Sequence, residues 1–117
     1  MMDLRKRTKE FALMIIKIYS SLSKITENQV LGKQLLRSGT SVGAHYREGC
    51  RARSNAEFIS KLEGGLQELE ETQYWLELLI ETAKSDSSAF QEALKESDEL
   101  IAIFTTIVKE VKFKGKK

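Results

Sequence analysis

Apolar residues recur along this chain in steps of three and four, the rhythm of helices, and nowhere in the two-residue step of strands. Leu4, Thr8, Phe11, Ile15, Ile18, Leu22 and Ile25 form the first stripe and predict a helix over about Asp3–Ser23. In the link Ser23–Asn28, Thr26 and Gln29 stand three apart as in a capping box, where a hydroxyl accepts from a free helix N–H and the amide reaches back. The second helix then runs to about Arg51, with an expected inner face of Leu31, Leu35, Ser38, Val42, His45 or Tyr46, and Gly49. Ser54 and Glu57 form a second capping box and open the third helix, whose stripe is Phe58, Leu62, Leu66, Leu69, Gln73, Leu76 and Ile80 and whose last turn ends near Lys84. Ser85 to Ser88 read as a loop, and Ser88 with Gln91 caps the fourth helix. Its stripe is Phe90, Leu94, Ser97, Ile101, Phe104, Val108 and Val111, and the basic tail Lys112–Lys117 is expected to fray.

Short connections between long amphipathic helices make successive helices antiparallel. The predicted fold is therefore all-α, an up-down-up-down antiparallel four-helix bundle forming a single domain over residues 1–117. Two segments depart from a plain bundle pattern. Ser38, Gly39, Ser41, Gly43 and Ala44 make the second helix one of small residues. Each interior glycine costs about 1 kcal/mol relative to alanine, so Gly39 and Gly43 predict close approach of a neighbouring helix. The run Tyr74-Trp-Leu-Glu-Leu-Leu-Ile80 is apolar around most of its helix, where a bundle needs about three positions in seven. Tyr74, Trp75, Leu78 and Leu79 are the surplus. Two readings stay open: a broader core within one chain, or an oligomer interface, where aromatic side chains are favoured.

Composition removes most chemistry. There is one cysteine, Cys50, and one histidine, His45. A four-thiolate zinc site, a di-iron bundle site with two Glu-x-x-His pairs and a multi-imidazole catalytic zinc all need more. On a helix, His45 and Cys50 lie about 140° apart around the axis and do not converge. No phosphate loop of the Gly-x-x-x-x-Gly-Lys type occurs, and Gly64-Gly65 falls inside a helical stripe. His45 and Glu48 share a helix face near Arg37 and Arg47, a set able in principle to cleave RNA by acid–base chemistry. A polar surface cluster or a packed histidine accounts for the same residues more simply. No enzyme activity, catalytic residue, metal or cofactor is expected. Arg5 to Lys9 before Phe11–Ile16 mimic a secretory signal, but Lys17 interrupts the run and no small-residue cleavage site follows. No stretch reaches the about 20 apolar residues of a membrane span, and the lone cysteine suits a reducing compartment. The expectation is a cytoplasmic protein without membrane contact.

The net charge of +2 conceals a division: residues 1–53 carry +7, residues 54–108 carry −9, and the last nine carry +4. Such asymmetry points to a polyanion partner or to complementary packing of basic on acidic helices. The densest basic stretch is His45-Tyr-Arg-Glu-Gly-Cys-Arg-Ala-Arg53. Guanidinium forks suit phosphate oxygens, Tyr46 is placed to stack on a base, and the following helix N-terminus adds free N–H groups. Arg37, Arg47, Arg51 and Arg53, with Lys33 and His45, are the candidate nucleic-acid contacts, for RNA or DNA and largely sequence-tolerant.

Leu31-Gly-Lys-Gln-Leu-Leu-Arg-Ser-Gly-Thr-Ser-Val-Gly-Ala44, Glu48-Gly49, the arginine-rich turn, Glu57-Phe-Ile59, Leu66-Gln-Glu-Leu-Glu-Glu-Thr-Gln-Tyr-Trp-Leu76 and Asp98-Glu-Leu-Ile-Ala102 together resemble the bacterial four-helix bundle protein family, also called 23S rRNA intervening-sequence proteins. The match spans about residues 8–112. The family includes the accessory variability determinant of diversity-generating retroelements. The resemblance implies a homopentamer of bundles that binds nucleic acid through a repeated basic surface. It also implies an alternative, an interaction scaffold docking a protein partner such as a reverse transcriptase through its acidic helices. The chain departs from the family's Gly-Ala-Asn-Ile-Ala-Glu-Gly in reading Gly43-Ala-His-Tyr-Arg-Glu-Gly49, so that His45 stands for asparagine and Arg47 for a small residue.

Overall fold

Local hydrogen bonds fix where the helices begin. The Asp3 carboxylate accepts from the Lys6 N–H at 3.2 Å and opens α1, Leu4–Ser21. Ser54 accepts from the Glu57 N–H at 3.1 Å and opens α3, Asn55–Thr82, while Glu57 accepts from the Arg53 N–H at 3.4 Å. The expected box at Thr26 and Gln29 is not formed. Ile25, in extended conformation, occupies the capping position of α2, Thr26–Cys50, and places Thr26 inside the helix with no side-chain cap. Gln29 instead donates to the Ser23 carbonyl at 2.8 Å and Asn28 to the Ser23 hydroxyl at 2.9 Å. The fourth helix, α4, is Ser88–Gly115. This computed structural model describes residues 3–82 and 88–115. The expected last turn to Lys84, the Ser85–Ser88 loop before Ser88 itself, and Lys116 and Lys117 lie outside the described residues. The tail expected to fray from Lys112 continues α4 through Gly115. Lys112 pairs with Glu63 at 3.2 Å, and cations in a last turn oppose its partial negative charge.

The four helices form the predicted all-α, up-down-up-down antiparallel bundle, 53 × 20 × 20 Å in extent. Each helix packs on its neighbours in sequence, α1 and α4 close the square, and across one diagonal the ring of Tyr46 on α2 reaches that of Phe104 on α4. The register is antiparallel at every seam. Gly32, Gly39 and Gly43 of α2 meet Tyr19, Ile15 and Thr8 of α1 in descending order. Ser38, His45 and Gly49 meet Thr72, Gly64 and Leu62 of α3. Gly65 and Gln73 meet Phe104 and Ser97 of α4.

The core is Phe11, Ile15, Leu35, Val42, Leu62, Leu69, Leu76, Leu79, Leu100 and Phe104, with Leu4, Ile18, Phe90, Ala93 and Val108 around it. In α3 and α4 the buried line is rotated from the predicted one. It follows Leu62, Gly65, Leu69, Thr72, Leu76 and Leu79, then Phe90, Ala93, Ser97, Leu100, Phe104 and Val108. Leu66, Ile80, Leu94 and Ile101 are half-buried flanks. This corrects the expected interface set. Leu79 is 0% exposed and belongs to the bundle's own core, because it continues the Leu69–Thr72–Leu76 line. Trp75 packs partly against that core, Leu78 is half-buried, and Tyr74 alone projects, at 54% exposure, tilted against Trp75 at 5.1 Å.

Small residues let α1 and α2 approach. A Cβ at Gly39 would lie 2.6 Å from Ile15 Cγ1, the close approach predicted for that glycine. Polar ties cross the other seams. Ser38 and Thr72 share a buried hydroxyl–hydroxyl hydrogen bond of 2.8 Å between α2 and α3. Gln73 donates from α3 to Ser97 at 2.9 Å and to Asp98 at 2.6 Å on α4. Arg7 of α1 grips Glu96 of α4 through two bonds of 2.7 and 2.8 Å and reaches Glu99 at 3.1 Å. The Glu96 hydrogen bond, acting against desolvation, raises the Arg7 pKa and holds it charged.

Candidate nucleic-acid interface

Folding turns the charge division of the sequence into a division across the molecule. Helices α1 and α2 carry eight Lys and Arg against three Glu; α3 and α4 carry five against twelve Asp and Glu. Because the two pairs are adjacent in space, one flank of the bundle is basic and the other acidic. On α2 and its C-terminal cap, Lys33, Arg37, Thr40, Ala44, Arg47 and Arg51 follow one another in steps of four and three, the spacing of a single helix face. All are exposed except half-buried Thr40. The stripe places four of the predicted contacts in one row about 27 Å long, at 1.5 Å per residue.

Those cations differ in what they already hold. Arg37 is drawn sideways onto α3, 3.2 Å from Glu68 and 2.6 Å from Glu71. Burial works against its charge, but the two carboxylates more than offset that and raise its pKa. The side chains of Lys33, Arg47, Arg51 and Arg53 have no carboxylate within 4.0 Å among the described residues. Arg51 and Arg53 lie in the turn, where Glu48, Glu57 and Lys61 line the same hollow; Glu48 pairs with Lys61 at 3.1 Å. The arginine-rich turn is thus mixed in charge. Arg47 faces a different neighbour, Lys9 of α1, across a shallow groove of about 330 Å3 floored by Ala12, Gly43 and Ala44, with Thr40 at its side. Lys9 was not legible as a site residue from sequence, since only the α1–α2 packing brings it opposite Arg47.

Two predicted residues lie off this face. His45 is two residues from Arg47, hence on the far side of α2. It is half-buried, and its ring rests on Gly64 of α3, where a Cβ would meet Cε1 and Nδ1 at 2.8 Å. Its Nδ1 is buried without a hydrogen-bond partner, and its Nε2 lies 3.9 Å from Glu68. That corrects both the placing of His45 among the phosphate contacts and its pairing with Glu48. Tyr46 is half-buried with its ring 5.9 Å from that of Phe104. Burial, with hydrogen bonding to Cys50, pushes its phenol up to about 12. It is therefore core-facing and not a platform for a base. No group of three or more His, Cys, Asp or Glu is placed to hold a metal ion among the described residues. No helix of the described residues is long and apolar enough to cross a membrane.

Comparison with known proteins agrees with the bundle. A family model described as 23S rRNA-intervening sequence protein matches residues 1–106. A crystal structure of a protein with unknown function from the S23 ribosomal protein family, from Bacteroides thetaiotaomicron VPI-5482, is 39% identical. It superposes with a TM-score of 0.84 over 92% of this chain and 99% of its own. No curated protein matches the sequence.

Proposed function

The chain belongs to the 23S rRNA-intervening sequence protein family, and from that premise we propose that it is a non-enzymatic, cytoplasmic, oligomeric bundle that binds nucleic acid through its α1–α2 flank. One observation carries the reading. Among the described residues, Lys33, Arg47 and Arg51 stand in one exposed row and have no acidic partner, whereas Arg7, Arg37, Lys61 and Lys112 are each paired. Unpaired cations in a row suit the regularly spaced phosphates of a polyanion, and each phosphate neutralised releases counterions. Contacts of this kind position a nucleic acid without reading its sequence. A homopentamer, as the family resemblance implies, would repeat the row five times and add its contacts together. Leu13, Ile16, Val30 and Tyr74, all exposed apolar side chains, favour contact with further subunits. The non-enzymatic reading is favoured by His45, whose one unengaged ring nitrogen is buried against α3, away from any bound phosphate.

A gel shift with duplex and structured RNA and DNA tests the reading. The wild type should bind all of them, weakening steeply with salt, and Lys33, Arg47 and Arg51 changed together to alanine should abolish the shift. Equal binding by the triple variant refutes the assignment of this face. A second reading has its own observation. Glu63, Gln67, Glu70, Tyr74, Glu77 and Glu81 form an exposed row on α3 in steps of four and three, which suits a basic protein partner such as a reverse transcriptase. Failure to bind any nucleic acid at low salt, with a protein partner lost on changing Glu70 and Glu77 to lysine, favours that scaffold.

A further inference from the structure

We propose that the α1–α2 groove between Lys9 and Arg47 is the seat for the minor-groove side of double-helical RNA. This rests on the nucleic-acid reading above and narrows it to one substrate class.

Three observations carry it. First, Lys9 and Arg47 face each other across the groove with no carboxylate within 4.0 Å of either among the described residues. Two like charges lining one hollow, with the small residues Thr8, Ala12, Thr40, Gly43 and Ala44 as the rest of its wall, form a binding point for an anion that enters from solvent. Second, no aromatic side chain lines the groove itself, since Tyr46 is turned onto Phe104 and Tyr19 lies further along the seam against Gly32. Single strands are held largely by base stacking on aromatic platforms, so the face lacks what a single strand needs and keeps what a duplex backbone needs.

Third, the shape and the hydroxyl chemistry favour RNA. Arg37 and Arg47 are about 15 Å apart along the helix axis, with only Thr40, Ser41, Gly43, Ala44 and other short or inward-turned residues between them. Arg47 stands without an acidic partner among the described residues at one end of this low saddle, and Arg37, held by Glu68 and Glu71, closes the other. Two packed helices are too broad to enter a B-form major groove about 12 Å wide, but they can lie across the wide, shallow minor groove of an A-form helix, which displays ribose hydroxyls. The hydroxyl of Thr40 donates inward to the Leu36 carbonyl at 2.7 Å, and that of Ser41 to the Arg37 carbonyl at 2.6 Å. Both oxygens are left as acceptors. A phosphate oxygen has no proton to give them, whereas a ribose 2′-OH does.

The test is fluorescence-anisotropy binding of the full chain to one labelled sequence of about 20 base pairs, as RNA duplex, DNA duplex and single-stranded RNA, over a salt series. The RNA duplex should bind at least tenfold tighter than the single strand and several-fold tighter than the DNA duplex. Lys9→Gln with Arg47→Gln should weaken duplex binding at least tenfold and reduce the salt slope by about two contacts, with Lys9→Arg and Arg47→Lys restoring it. Thr40→Val, which keeps the shape and removes the acceptor, should narrow the RNA-over-DNA preference. Single and double strands bound alike, or an RNA duplex bound equally by the Lys9/Arg47 variant, overturns the groove proposal while the nucleic-acid reading stands. Binding of no nucleic acid at low salt overturns both.

Discussion

Replacing Gly39 by alanine sets a local gain against a packing loss. In a helix interior the change is favourable by about 1 kcal/mol. Here the new Cβ would stand 2.6 Å from Cγ1, 2.8 Å from Cγ2 and 3.0 Å from Cβ of Ile15. Ile15 is fully buried, and a β-branched side chain in a helix has one strongly preferred χ1 rotamer, so it cannot swing aside. Either α1 and α2 separate or Ile15 leaves its rotamer, and overpacking of this kind costs about 1–3 kcal/mol, more where relief is blocked. The expected net effect is a destabilisation of about 1–2 kcal/mol, seen in urea unfolding by circular dichroism and as a fall of about 4 °C in Tm per kcal/mol. Gly43→Ala is the control in the same helix, with the same propensity gain. Its Cβ would meet Thr8 Oγ1 at 3.1 Å and Cβ at 3.4 Å, and it should be close to neutral. Ile15→Val keeps both Cγ atoms and should not rescue Gly39→Ala. Ile15→Ala removes them and leaves only the Cβ contact at 3.0 Å, so on that background Gly39→Ala should cost much less than in the wild type. A Gly39→Ala protein more stable than the wild type, or no less stable than Gly43→Ala, would refute the close-approach argument.

Three further outcomes follow from the packing. Leu79→Ala should cost about 2–5 kcal/mol in denaturant unfolding while leaving the oligomeric state in light scattering unchanged, since its side chain is inside one bundle. Arg7→Gln should cost about 1.5–3 kcal/mol by breaking the tie to Glu96, and Glu96→Gln should cost a similar amount; the double variant should lose less than the sum of the two. The Tyr46 phenol, pushed up to about 12 by burial and the Cys50 hydrogen bond, keeps its proton longer in the folded than in the unfolded chain. Its contribution is therefore full below the ordinary tyrosine value of about 10 and is lost as pH rises from there to about 12. Unfolding at stepped alkaline pH should show Tyr46→Phe losing less stability across that window than the wild type.

Helix number, order and direction were readable because large apolar residues in steps of three and four leave no other period, and because short links force antiparallel neighbours. The rotated lines of α3 and α4 have one cause: a stripe read from sequence favours large side chains. Gly65, Thr72 and Ala93 lie on the buried line of α3 and α4, but small or hydroxylated residues look polar or neutral in a linear pattern. Leu79 is misplaced for that reason, since seven residues before it the buried line passes through Thr72 rather than Gln73. The Thr26 box failed because Ile25 takes the capping conformation, which depends on how the link leaves α1. At the candidate interface, Lys33, Arg37, Arg47 and Arg51 were legible as residues, but not as one row, because the arginine-rich stretch drew attention to the turn. Lys9 was beyond reach, since its partner lies on another helix. The sequence places one of His45 and Tyr46 on the inner face; that both turn inward follows from Gly64 leaving a seat for one ring and Phe104 a partner for the other, which no linear pattern announces.

The opposed flanks have a consequence beyond contact. With basic residues in excess on α1–α2 and acidic ones on α3–α4, the bundle carries an electric dipole across its 20 Å width, perpendicular to its long axis. A polyanion exerts a torque on such a molecule as well as a pull, so approach and orientation are coupled. At physiological ionic strength the torque acts only within about 8 Å of the surface. The protein is thus turned in the last step before contact, and a variant with the same net charge but evenly mixed flanks would arrive as often and engage less.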